Sequence, residues 1–103
     1  MDEEVKMIFE LAYLPVMHAN QRLNGGDFLS VAIPIMDALR KEISNEAILR
    51  KAAKTMVLAF NEMLNPKMSE QRINEGIQLV YNPDPKTRAI AKMIADEFAR
   101  NHK

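Results

Sequence analysis

Few residues in this chain combine the types and the spacing that chemistry needs. The imidazoles are His18 and His102, far apart in sequence, and there is no cysteine. A metal site on helices usually pairs a carboxylate with a second ligand three residues on, so that both leave one face. Neither E-x-x-E nor E-x-x-H occurs. Glu42 and Glu46 are four apart, but a predicted helix break at Ser44 lies between them and leaves both solvated. A phosphate-cradling loop needs glycines that open a helix and a lysine after them. The one glycine pair, in Asn24-Gly25-Gly26-Asp27, has no such lysine and reads as a helix stop. A serine nucleophile would need a base, and only the two histidines are available. No catalytic residue, metal ligand or cofactor is assigned, and a non-enzymatic protein is expected.

Two further chemistries merit comparison. In phosphotransfer bundles the histidine is followed by a lysine and a glycine at set spacing; Ala19, Asn20, Gln21 and Arg22 follow His18, so the informative positions differ. Residues 69–101 can be read as helix, short turn and helix, the second beginning PKTRAIAKMIADEF. A helix-turn-helix DNA reader offers basic and polar side chains at the start of its second helix. Lys86, Thr87, Arg88 and Lys92 would serve, and Arg88 and Lys92 form an i,i+4 like-charge pair that a polyanion would relieve. Asp84, Asp96 and Glu97 dilute this patch, and the whole chain has a formal net charge of zero. Bulk attraction to nucleic acid is therefore weak.

The elements that must position any site are helical. At 103 residues the chain suits one domain, residues 1–103, and strand-like alternation is nearly absent. Asp2 can cap a first helix that ends at Asn24-Gly25-Gly26; Asp27 or Ser30 opens a second. Ser44 or Asn45 separates it from a third, which runs to Leu64. Ser69 starts a fourth, and Asp84-Pro85 a fifth, with a capping carboxylate and a proline whose missing N–H is not needed at that position. Pro15 predicts a kink in the first helix or a junction of two short ones. Pro34 predicts that the regular part of the second begins there, after an irregular stretch 28–33. The fold class is all-α, a single compact bundle of about five helices with the third, residues 45–64, at its centre.

Apolar residues exceed what one buried stripe per helix requires. On the third helix Leu49, Ala53, Met56, Phe60 and Met63 form a seam, while Val57 and Leu58 project toward Arg50, Lys54, Asn61 and Glu62. On the first, Val5, Phe9, Ala12, Val16, Ala19 and Leu23 form one seam and Met7, Leu11, Leu14 and His18 another, nearly opposite. Surplus apolar surface on a short chain points to self-association or a partner. Met7, Leu11, Leu14, His18, Val57 and Leu58 are the candidate partner-binding residues, with Leu79 a further position if the first helix is internal. The expected function is that of an inhibitor, immunity or adaptor protein, of the kind bacterial and phage genomes encode, binding another protein or itself. The runner-up is a DNA-binding regulator. No run reaches the roughly 18 apolar residues of a membrane span. The acidic start MDEEVK is unlike a signal peptide, so a cytoplasmic protein is expected.

Overall fold

The structure is a computed structural model that describes residues 2–20 and 24–101. It contains five α-helices: α1 (Asp2–Asn20), α2 (Gly25–Glu42), α3 (Glu46–Glu62), α4 (Glu70–Tyr81) and α5 (Pro85–Asn101). Among the described residues there is no strand. Helix α3 packs against α1, α2 and α4, and it buries more residues than any other helix. Its seam of Leu49, Ala53, Met56 and Phe60 is buried, with Met63 half-buried at its end. The centre of the core is a closed ring of aromatic contacts. Phe9 stacks on Tyr13 and Phe28 on Phe60, and edge-to-face contacts of Phe9 with Phe28 and Tyr13 with Phe60 complete it. Three helices are thereby joined through large rings whose offset and T-shaped geometries suit their quadrupoles.

Side-chain caps set most boundaries. The Asn45 carboxamide accepts from the Ala47 and Ile48 amides, Ser69 Oγ from Arg72, and the Asp84 carboxylate from Thr87. Each satisfies an amide that the first helical turn leaves without a partner. The Thr87 amide bond also holds the Asp84 carboxyl below the ordinary carboxylate range. At the far end of α3, Lys67 Nζ donates to the carbonyls of Glu62 and Leu64, a cation placed where the helix dipole is negative.

Asn24-Gly25-Gly26 differs from its expected role: it opens α2 instead of ending α1. Asn24 is the N-cap, its side chain accepting from the Asp27 amide at 2.8 Å. No described glycine has a positive φ, so left-handed freedom is not what selects glycine here. Space is. A Cβ on Gly26 would stand 3.0 Å from Ile94 Cδ1 of α5.

Pro34 behaves differently from expectation, and at Pro15 the alternative of two short helices is excluded. Helix α2 runs unbroken through residues 28–33 and Pro34, and α1 continues through Pro15 as one element, not two. Both prolines are exposed. The inner seam of α1 is Val5, Phe9, Tyr13 and Val16. Tyr13 takes the place expected for Ala12, its ring packing against both Phe9 and Phe60. Ala12 and Ala19 are exposed, and Leu23 lies outside the described residues.

Helix α5 packs chiefly on α2, and Ala91 is its one fully buried residue. Ile90 is exposed, and Ile94 is half-buried with Phe98. Arg88 binds Asp37 of α2 through both guanidinium nitrogens, at 2.6 and 3.2 Å, which raises its pKa.

Candidate functional site

The outer face of α1 follows from helical geometry. With Val5, Phe9, Tyr13 and Val16 turned inward, Met7, Ile8, Leu11, Leu14 and His18 must turn out. Helix α1 packs on α2 and α3, neither of which covers that side. Met7 is 61% exposed, Leu11 65% and Leu14 40%, with Ile8 beside them. His18 is exposed at the end of the strip. Glu3 and Glu10 border it, and with Lys6 they edge a shallow hollow of about 420 Å³ floored by Met7, Leu11 and Leu14. Lys6 reaches Glu62 of α3 at 3.3 Å, so this border is tied to the domain. Between Met7 and Ala19 the one carboxylate is Glu10, at the border of this face.

The remaining candidate positions divide. Leu58 is 38% exposed and lies on an outer wall of α3. Val57 is corrected: at 1% exposure it is core, not contact surface. Its methyls lie 3.5 and 3.7 Å from where a Cβ on Gly76 would be, so the glycine lets α4 close over it. Leu79, on α4, is half-buried and lines one hollow with Phe28 and Phe60. His102 lies outside the described residues.

The four positions considered for DNA are brought onto one helix but are engaged within the chain. Arg88 is held by Asp37, and Lys92 lies 3.4 Å from Asp96. The Thr87 amide serves the Asp84 cap, and Lys86 is exposed. Helices α4 and α5 pack mainly on α3 and on α2 respectively, instead of on one another.

Two arrangements were missed in the sequence because they join distant segments. Tyr81 lies between the guanidinium groups of Arg40 and Arg50, 4.9 and 4.3 Å from the ring centre, and its hydroxyl donates to Glu46. That bond raises the Tyr81 pKa, the protonated phenol being the form that can donate. Glu46 is therefore engaged, not merely solvated; Arg40 also lies 3.8 Å from it. At the α1–α2 junction, buried Asp27 accepts from the side-chain amides of Asn20 and Asn24 at 2.7 and 2.8 Å. Nearby, the Tyr13 hydroxyl is buried beside Asp27 and the Asn24 backbone. Burial, then the Asp27 charge, push its pKa up to about 12, against a smaller opposing influence of the Asn24 backbone.

Among the described residues no three His, Cys, Asp or Glu side chains gather as a metal site would, and no helix is long and apolar enough to cross a membrane. No protein-family model, curated protein or solved structure matches the chain.

Proposed function

We propose that this is a non-enzymatic interaction protein that binds another protein, or a second copy of itself, through the outer face of α1. One observation carries the reading. Met7, Ile8, Leu11 and Leu14 are all exposed on a helix whose opposite side already fills the core. Each large apolar side chain left in water forgoes roughly 1.5–3 kcal/mol of burial, so a surface that keeps four together gains from being covered. An inhibitor, immunity or adaptor role fits a chain whose main exposed asset is such a surface.

Sedimentation velocity of the wild type and of Leu14→Glu, with affinity capture by both from one cell extract, tests the reading. The wild type should self-associate or retain a protein that the variant does not, with both equally helical. If neither self-association nor capture depends on Leu14, the proposal fails. If the variant unfolds, α1 is interior to the fold and the face is not a contact surface.

A further inference from the structure

A second surface has a different chemical character. A groove of about 760 Å³ lies between α3 and α4. Its α3 wall presents Arg50, Lys54 and Leu58 at four-residue intervals, one above another along the helix. Each interval advances about 6 Å. Ile77, half-buried, faces them from α4 between Asn74 and Gln78. Lys51 also lines the groove but is held by Asp2 at 3.3 Å. Arg50 and Lys54 form no ion pair among the described residues. Arg50 stacks on Tyr81, which orients its guanidinium. Two like charges at i,i+4 repel mildly, and a pair of carboxylates would relieve them.

We propose that this groove docks an acidic amphipathic helix of a partner protein. Two carboxylates four residues apart on that helix meet Arg50 and Lys54, and an apolar side chain one turn further covers Leu58 and Ile77. The carboxamides of Asn74 and Gln78 supply neutral hydrogen bonds along the opposite wall. The match is one of charge and spacing together, cation, cation, apolar against acid, acid, apolar. A nucleic acid fits less well. It would bring no apolar group to Leu58, it would meet the Asp2 carboxylate, and two free cations release few counterions. The site is separate from the outer face of α1 and does not depend on it.

Fluorescence anisotropy with a labelled amphipathic peptide of about 15 residues, carrying Glu-x-x-x-Glu-x-x-x-Leu on one face, provides the test. The comparison probes are the same peptide with lysine for glutamate, the same with serine for leucine, and a short DNA duplex. The acidic peptide should bind saturably to the full chain, and both peptide substitutions should weaken it. Lys54→Glu should reduce affinity by about tenfold, as should Arg50→Glu, with helical content unchanged. Leu14→Glu should bind the peptide like the wild type, which keeps this result distinct from that for the α1 face. Absence of saturable binding, equal binding of the lysine peptide, indifference to Lys54→Glu, or tighter binding of the duplex would each overturn the proposal.

Discussion

Helices α1 and α3 begin from the same sequence pattern and end in different surroundings. Each carries apolar residues on two sides, more than a single stripe. In α3 the second side receives α4, and Val57 disappears beneath Gly76. In α1 it receives nothing, and Met7, Leu11 and Leu14 stand in water. A second seam therefore specifies that something must cover a helix, without specifying whether the cover belongs to the same chain. The neighbour distinguishes the two: α4 covers α3 at Gly76, whereas no helix is placed to approach the outer side of α1.

Substitutions on the two helices should separate sharply. The largest effect is expected at Phe60, within the aromatic ring. Phe60→Ala should lose about 3–5 kcal/mol of stability by denaturant unfolding, and an unchanged midpoint would remove α3 from the centre of the fold. Tyr13 comes next, on the inner side of α1. Its folded pKa lies above the ordinary phenol value, so its contribution is complete below pH 10 and is lost as pH rises through about 12. Unfolding followed across that window should show the fall, and Tyr13→Phe should flatten it.

The smaller effects sharpen the comparison further. A methyl at Gly76 would sit in ordinary contact with Val57, so Gly76→Ala should stabilise by up to about 1 kcal/mol through helix propensity, read as a higher Tm. A loss instead would mean that α4 lies closer to α3 than these distances indicate. Smallest of all, Leu14→Glu should shift stability by no more than about 0.5 kcal/mol, as an exposed substitution does. Its effect belongs to association, measured by sedimentation.

Much of the architecture was legible because it is written in local chemistry. Asn45, Ser69 and Asp84 cap helices for reasons contained within three residues, and the α3 seam follows from period alone. Asn24-Gly25-Gly26 was read in the wrong direction because a glycine pair suits both a helix stop and a close helix crossing. Only Ile94, far along the chain, shows which applies. Val57 was misplaced for a related reason: its neighbours on the helix surface are polar, but the residue that covers it is a glycine, which has no side chain to announce a contact. On α1, Met7, Leu11, Leu14 and His18 were placed correctly on the outer side, since exposure there needs only the helical period. The Arg50–Tyr81–Glu46 arrangement left no trace in spacing, because its members come from different helices and meet only in the folded chain.

The position of α5 has a consequence for how the protein comes apart. Its one buried residue, Ala91, and the Ile33 side chain of α2 lie outside the main cluster built around the aromatic ring. Among its other contacts are Arg88–Asp37 and the close crossing of Ile94 with Gly26. Releasing α5 would expose little of what stabilises the other four helices. The protein should thus open in two stages, with α5 amides exchanging hydrogen through a partial opening and α3 amides only through complete unfolding.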